Sequence, residues 1–171
     1  MKYSAVIMRA LICAILLAEA ATSAVASDEA EKKSLQGIHG VLLTIDIDQG
    51  LEKYGLTPKQ TRIDVEMRLR KAGIKVLDLV EWSREPGFPR LDLRLVAEKI
   101  DPNVGIWVYV IDLDLHQEIL LKRNLQLQRE VITWRTGSMG KVGNAKLDMI
   151  PGVIARYVDE FIDDYLAANP K

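Results

Sequence analysis

Apolar residues along the chain fall into short runs separated by glycines, prolines and charged turns, and these runs predict five β-strands. In the third run every second residue from Leu91 to Ala97 is apolar, which is the period of a strand with one buried face. The fourth and fifth runs predict a hairpin with its tip at Arg123 and Asn124. The predicted strands are residues 40–48, 74–82, 91–97, 104–122 and 125–135.

Two further segments predict helices. In residues 57–73 apolar and charged residues alternate as they do in a strand. However, the segment Thr57–Gln60 is a capping box with proline at the first helical position, and Gly73 is a residue that ends helices. Acidic residues also precede basic residues by four positions, a spacing that brings their side chains together as ion pairs only in a helix. In residues 147–165 apolar residues recur at i+3 and i+4 spacing, so Pro151 must lie in the first turn or kink the helix.

The predicted order is strand, helix, four strands and a final helix. If consecutive strands pair as hairpins, this order predicts an α+β two-layer sandwich, a mostly antiparallel sheet of about five strands with two helices on one face. Residues 40–171 then form a single domain, and the polar residues 27–39 are expected to be a flexible leader. Ile63 and Met67 lie on the side of the first helix away from the core, for which the pattern gives no reason.

The N-terminus has the three parts of a secretory signal peptide. A basic region precedes a short apolar core, residues 10–18, and Ala24 and Ala26 occupy the two positions that a signal peptidase reads. A membrane anchor would need about 20 apolar residues, and this core is less than half that length. We therefore expect residues 1–26 to be removed by cleavage after Ala26.

The single cysteine, Cys13, lies in this signal and lacks the small-residue context of a lipoprotein signal. The mature chain is therefore expected to have no disulfide and no stable membrane anchor, and to be periplasmic or secreted. The chain has 23 Lys and Arg residues against 24 Asp and Glu residues. A nearly neutral balance gives no reason to expect nucleic acid as a partner.

Asp112, Asp114 and His116 occupy alternate positions of the fourth predicted strand, so their side chains share one face of the sheet. Carboxylates and an imidazole on one face are candidate metal ligands if a neighbouring strand supplies another. The alternative is the polar, solvent-facing side of a sheet, because alternate residues lie about 7 Å apart, which is too far for tight chelation.

A glycine-rich segment between the fifth strand and the last helix is a candidate anion-binding loop, because backbone N–H groups at such a junction can hold an anion. Its candidate residues are Gly137, Ser138, Gly140, Lys141 and Gly143. The spacing does not match a P-loop, and Ser138 has no histidine near it in sequence to activate it as a nucleophile. The alternative is a flexible turn that uses glycine for its backbone angles.

Three aromatic residues, Trp82, Phe88 and Trp134, are predicted at strand ends or in loops. Aromatic residues are enriched at the centres of protein interfaces, so the three are a candidate interaction patch. The alternative is that they close the ends of the core, which requires no partner.

Five segments of the chain form a familiar set: Gly55–Gln60, Asp64–Ile74, Pro86–Pro89, Thr133–Gly137 and Phe161–Pro170. Together they resemble a group of small secreted bacterial proteins to which no activity is assigned. The resemblance spans most of the mature chain and implies no catalytic residue. The order of strands and helices is also similar to that of the amino-terminal domain of TolB-type proteins, which is a small envelope-associated α/β module.

No residues with a catalytic spacing emerge from the sequence, so neither a catalytic residue nor a cofactor is predicted. The export signal and the single domain indicate a soluble, non-enzymatic module that binds an envelope protein or a small ligand. The alternative is a metal- or anion-dependent small-ligand-binding protein or hydrolase that uses the predicted metal ligands or residues 137–143.

Overall fold

The structure is a computed structural model that describes residues 29–101 and 105–170, so the predicted signal peptide, residues 1–26, lies outside it. The helices of the described chain are α1 (Glu29–Ser34), α2 (Pro58–Lys71), α3 (Leu79–Trp82) and α4 (Ile150–Ala168). The strands are β1 (Gly40–Ile47), β2 (Lys75–Val76), β3 (Arg90–Asp101), β4 (Ile106–Leu121) and β5 (Asn124–Gly143). Short 3-10 helices, Gln49–Tyr54 and Asn144–Met149, precede α2 and α4.

The strands of the described chain form one sheet in the order β2-β1-β3-β4-β5. β1 runs parallel to β2 and β3, whereas β3, β4 and β5 pair antiparallel. The antiparallel pairs are the longer ones, so the sheet is mostly antiparallel by length. The predicted α+β class and the five-stranded sheet are therefore confirmed.

The pairing of the first three strands differs from the prediction. The sequence predicts hairpins between consecutive strands, but β1 lies between β2 and β3 and is parallel to both. The reason is that α2 connects β1 to β2 and α3 connects β2 to β3. A helical connection returns the chain to the same end of the sheet, so the next strand runs in the same direction.

Helices α2 and α4 cover one face of the sheet and enclose the core. The two helices contact each other, α2 also contacts β1, and α4 contacts β4 and β5. From the sheet the core takes Val41, Leu43, Ile47, Leu91, Leu93, Leu95, Ala97, Trp107, Ile111, Leu113, Leu115 and Trp134. Each large apolar side chain that is fully buried contributes about 1.5–3 kcal/mol, so this layer is the main source of stability.

Both long helices begin as their sequences predict. The Thr57 hydroxyl accepts a hydrogen bond from the backbone N–H of Gln60 at 3.2 Å, and Pro58 is the first residue of α2. Pro151 lies in the first turn of α4, where its missing N–H removes no helical hydrogen bond. On α2, Ile63 and Met67 are exposed, as the helical spacing predicts.

The second strand is shorter than predicted, because residues 74–82 contain both β2 and α3. The Asp78 carboxylate accepts a hydrogen bond from the N–H of Glu81 at 2.8 Å. The Glu81 carboxylate accepts one from the N–H of Asp78 at 3.2 Å. This capping box starts a helical turn and thereby ends the strand.

The prediction of a flexible leader is wrong for residues 29–39. α1 contacts β5 and α4, and Leu35 is completely buried. The hydroxyl of Tyr165 in α4 donates a hydrogen bond to the carbonyl of Ile38 at 2.6 Å. The Asn169 side chain donates another to the carbonyl of Leu35 at 2.9 Å. A few apolar residues within a polar segment are enough to dock it on the core.

Candidate functional site

The sheet has a second face, opposite α2 and α4, which we call the open face. Alternate residues of four strands point to it, between the buried residues of the core. It consists of Leu42, Thr44 and Asp46 from β1; Arg90, Asp92, Arg94, Val96 and Glu98 from β3; Val108, Val110, Asp112, Asp114 and His116 from β4; and Ile132, Arg135, Gly137, Met139 and Lys141 from β5. Most of its charged residues lie toward one end of the strands.

Asp92 lies at the centre of the charged part of the open face. Its two carboxylate oxygens share one bifurcated hydrogen bond from Nε–H of Arg90, at 2.9 and 3.0 Å, and the carboxylate also accepts one from the Thr44 hydroxyl. The strand register places Thr44 beside it on β1 and Asp114 beside it on β4. The hydrogen bond to Asp92 raises the pKa of Arg90.

His116 lies between two carboxylates of the same network. Its Nε2 is 3.4 Å from Oδ2 of Asp92, and its Nδ1 is 3.8 Å from Oε1 of Glu130. Nη2 of Arg90 lies 2.9 Å from the same Glu130 oxygen. Both imidazole nitrogens therefore face acids that are already bound by Arg90.

Asp114 is the least exposed acid of the open face, with a side chain that is 15% exposed. Burial raises the pKa of its carboxyl, and the nearby Arg135 lowers it by less. Nε of Arg135 lies 3.4 Å from Oδ1, which is within ion-pair distance, yet that oxygen has no hydrogen bond from the described residues. The charge of ionised Asp114 is therefore only partly compensated.

The predicted metal ligands Asp112, Asp114 and His116 all lie on the open face, but they do not converge on one point. In the part of the chain that the structure describes, no three His, Cys, Asp or Glu side chains are grouped closely enough to hold a metal ion. Asp112 and Asp114 both face Arg135, with Oδ1 of Asp112 3.9 Å from its Nη2. The geometry gives the predicted metal site no support.

The segment predicted as an anion-binding loop is a strand. Residues 136–143 continue β5 and pair with β4 to its first residue. Their backbone groups belong to an extended ladder, so they do not turn toward a common point where an anion would sit. The prediction that Gly137, Ser138, Gly140, Lys141 and Gly143 form a loop is therefore wrong.

Packing against β4 explains why glycine occupies two of these positions. A Cβ at Gly137 would lie 2.4 Å from the carbonyl oxygen of Ile111, and one at Gly140 would lie 2.6 Å from the ring of Tyr109. Both neighbours belong to β4. The backbone of β4 therefore requires glycine at position 137, and at position 140 the glycine leaves room for the ring of Tyr109, whatever the segment binds.

The three aromatic residues predicted as an interaction patch do not meet on one surface. Trp134 is completely buried, and its indole Nε1 donates a hydrogen bond to Oδ2 of Asp164 at 3.0 Å. Trp82 and Phe88 contact each other edge to face, with ring centroids 5.5 Å apart. The three-residue patch is therefore wrong, because Trp134 points from β5 into the core.

An apolar row crosses the open face beside its charged part. Val96, Val110 and Met139 are register neighbours on β3, β4 and β5, and we call these three residues the apolar row. Val96 is 40% and Met139 75% exposed. The solvent-facing side of a sheet is normally polar, so a continuous row of apolar side chains here marks a candidate contact surface.

Charged residues flank the apolar row on both sides. On one side, Arg94 and Asp112 are paired in the register of β3 and β4. On the other side, Glu98 and Lys141 both lie opposite Val108 of β4. Asp46 of β1 also lies beside Arg94, so the first flank carries one positive and two negative charges, whereas the second carries one of each. Both flanks lie about 7 Å from the row along the strands.

One feature of the sequence indicates the apolar row. The outward positions in residues 92–98 are charged except for Val96. The alternation alone cannot show that Val110 and Met139 are its neighbours, because their positions depend on the register of three strands.

A groove of about 790 Å³ lies on the helical side of the molecule, between α2 and α4. Met67, Pro151 and Ile162 are among its lining residues. Nη1 of Arg68 crosses it to the carboxylate oxygens of Asp159, at 2.8 and 3.0 Å. Both charged side chains are exposed, so the groove is open to solvent and does not enclose a ligand.

The chain matches no protein-family model and no curated protein. The resemblances based on sequence segments and on the order of elements therefore stay predictions. None of the described helices is both long and apolar enough to cross a lipid bilayer.

Proposed function

We propose that this chain is an exported, non-enzymatic module that binds another protein through the open face of its sheet. The observation that carries the proposal is the apolar row Val96, Val110 and Met139 at the centre of a solvent-facing surface. Single apolar residues are common on protein surfaces and need no explanation. Three in register on adjacent strands form a continuous patch, and covering such a patch releases water and favours association.

The surroundings of the apolar row support a protein as the ligand. An apolar centre with a polar rim is the usual anatomy of a protein interface. Met139 is the most exposed residue of the row and lies on the edge strand β5, where a partner can reach it. Its flexible thioether side chain adapts to irregular partner surfaces.

The charged part of the open face supports binding better than catalysis. Its carboxylates lie within ion-pair distance of Arg90 and Arg135, and the nitrogens of the His116 imidazole face Asp92 and Glu130. An active site normally lies in a concavity that shields the substrate from water, whereas this network spreads over an open sheet. The hydrolase alternative therefore has no observation in its favour.

Export is part of the proposal and is supported by the signal-like N-terminus. Cleavage after Ala26 would fall just before Glu29, where α1 begins. Because α1 is docked on β5 and α4, removal of the signal would leave the described fold complete. Sequencing of the purified exported protein is expected to give Ser27 as its first residue, and a chain that retains residues 1–26 would contradict export by cleavage.

Photo-cross-linking in cells tests the binding function. A photoreactive amino acid replaces Met139 in the full-length chain, and a discrete cross-linked product is expected in the exported fraction. The matched control is Met149, which is 59% exposed but lies outside the open face. A product from position 139 and none from position 149 supports the proposal. No product from position 139, or the same product from both positions, contradicts it.

A further inference from the structure

We infer that the protein bound at the open face is a second copy of this chain, in a symmetric dimer whose two open faces pack against each other. The inference rests on the proposed function and adds the identity of the partner. The charges around the apolar row carry it, because their pattern is complementary to itself under a two-fold rotation.

The strand register sets the position of each charge. Along β3, Arg94 comes one outward position before Val96 and Glu98 comes one after it. Asp46 on β1 and Asp112 on β4 lie on either side of Arg94, and Lys141 lies two strands from Glu98 on the other flank. The two flanks are thus parallel lines of charge on either side of an apolar centre.

A two-fold axis along the apolar row, at right angles to the strands, places each flank against the opposite flank of the second copy. Arg94 then faces Glu98 of the second copy, and Glu98 faces Arg94 of the second copy. Asp112 faces Val108 of the second copy, beside the second copy's Lys141. Symmetry therefore makes the Arg–Glu pair twice and gives each Asp112 a lysine as its neighbour.

A two-fold axis along the strands is less favourable. It would pair Glu98 with Lys141 of the second copy, but it would also place Asp112 against its own equivalent. Arg94 would face Gly137, which has no side chain to receive it. Like charges facing each other across an interface oppose association, so the charges select the axis along the row.

The packing geometry of sheets is compatible with this dimer. Two sheets pack face to face about 10 Å apart with their strands within about 30° of each other. Such a tilt moves a residue that lies about 7 Å from the axis by roughly 4 Å, which the long Arg94 and Glu98 side chains can span. Within the monomer, Arg94 has only a long ion pair of 4.0 Å with Asp46 among the described residues, so it is available to the second copy.

Charge exchange tests the arrangement. The exported, purified protein is compared with Arg94→Glu, with Glu98→Arg and with the double variant by sedimentation equilibrium over a concentration series. Each single variant places two like-charge pairs across the proposed interface, so the dimer dissociation constant should rise roughly tenfold or more. The double variant restores opposite charges in every pair, so its dissociation constant should return to within about threefold of the wild type.

Two controls keep this result interpretable. Arg84→Glu changes the same charge at an exposed position outside the open face and should leave the dissociation constant unchanged. Circular dichroism melting checks that every variant folds. A wild type that stays monomeric up to about 1 mM, or a double variant as weak as the single ones, overturns the inference.

The inference and the proposed function fail in different ways. If Met139 cross-links only to a different protein while the purified chain is monomeric, the binding function stands and the second copy is overturned. If Met139 cross-links to nothing, the binding function itself fails. A Met139 product with the mass of two copies, lost in Arg94→Glu and restored in the double variant, supports both.

Discussion

At the scale of single residues, Asp114 carries a charge that its surroundings compensate poorly. Burial and the neighbouring Arg135 act on its carboxyl in opposite directions, and burial is the larger effect because the pKa is raised. One carboxylate oxygen lacks a hydrogen bond within the described residues. The folded protein therefore favours the protonated form of Asp114 more than the unfolded chain does.

Asp114→Asn should leave the protein at least as stable as the wild type at pH 7. The pKa of Asp114 is higher in the folded chain than in the unfolded chain. At a pH between these two pKa values the folded state therefore binds more protons than the unfolded state. Wild-type stability consequently falls as the pH rises through this window. The carboxamide of the variant cannot ionise, so the variant escapes this loss. Urea unfolding across the acidic range measures the difference, which should approach zero below the window. A variant that is less stable than the wild type at pH 7 would contradict the expectation.

The buried carboxylate of Asp164 is a residue-scale feature that the sequence does not predict. It accepts the hydrogen bond from Trp134, and one of its oxygens lies 2.9 Å from Nζ of Lys32 in α1. This ion pair raises the pKa of Lys32. Since the three residues are far apart in the chain, only the fold brings them together, and no local pattern distinguishes Asp164 from an exposed helical acid.

At the scale of elements, β5 shows that a high glycine content can lead to the prediction of a loop where the chain forms a strand. Glycines at a junction before a helix are typical of a loop, yet residues 136–143 are strand. The contacts with β4 decide this, because Gly137 leaves room for a backbone oxygen of β4 and Gly140 leaves room for the ring of Tyr109. Sequence spacing cannot distinguish a glycine needed for backbone angles from one needed for space.

Gly137→Ala should lower the free energy of unfolding by about 1–3 kcal/mol, because the added Cβ would lie 2.4 Å from a backbone oxygen of β4 and the strands must shift. Gly143→Ala is the matched control on the same strand. No atom lies within 4 Å of its added Cβ, so its effect should stay within about 0.5 kcal/mol. Urea unfolding of both variants measures the difference, and equal effects would show that the close approach is not the reason for glycine.

At the scale of the whole molecule, residues 29–39 connect the hairpin of β4 and β5 to the C-terminal helix. The Ser34 hydroxyl donates a hydrogen bond to the carbonyl of Thr133 at 3.0 Å, and the Gln117 amide donates one to the carbonyl of Ser34 at 3.1 Å. On the α4 side, Tyr165 bonds the backbone of the same segment. The segment is thus part of the folded domain.

Leu35→Ala should lower the free energy of unfolding by about 2–5 kcal/mol, because it removes a completely buried side chain from the core. The neighbouring Gln36 is exposed, so Gln36→Ala should change it by no more than about 0.5 kcal/mol. Chemical denaturation compares the two variants. A flexible leader would make both substitutions neutral, and that result would contradict the docked segment.

Features that depend on residues a few positions apart could be predicted from the amino-acid sequence alone. The alternation in β3 separates Leu91 and Leu93, which face the core, from Asp92 and Arg94, which face solvent. The hydroxyl of Thr57 caps α2 through a residue three positions away. Such local patterns follow from the geometry of one strand or helix, so they hold whatever the rest of the chain does.

Which strands are neighbours, and which side chains therefore meet, depends on the packing of the complete fold. The tertiary structure placed β1 between two parallel neighbours, docked Leu35 on the core and aligned Val96, Val110 and Met139 into the apolar row. A shift of one residue in the register would turn a strand's outward residues inward, and the row would vanish. The physical reason is that register depends on contacts between distant segments, which the packing of the whole core selects.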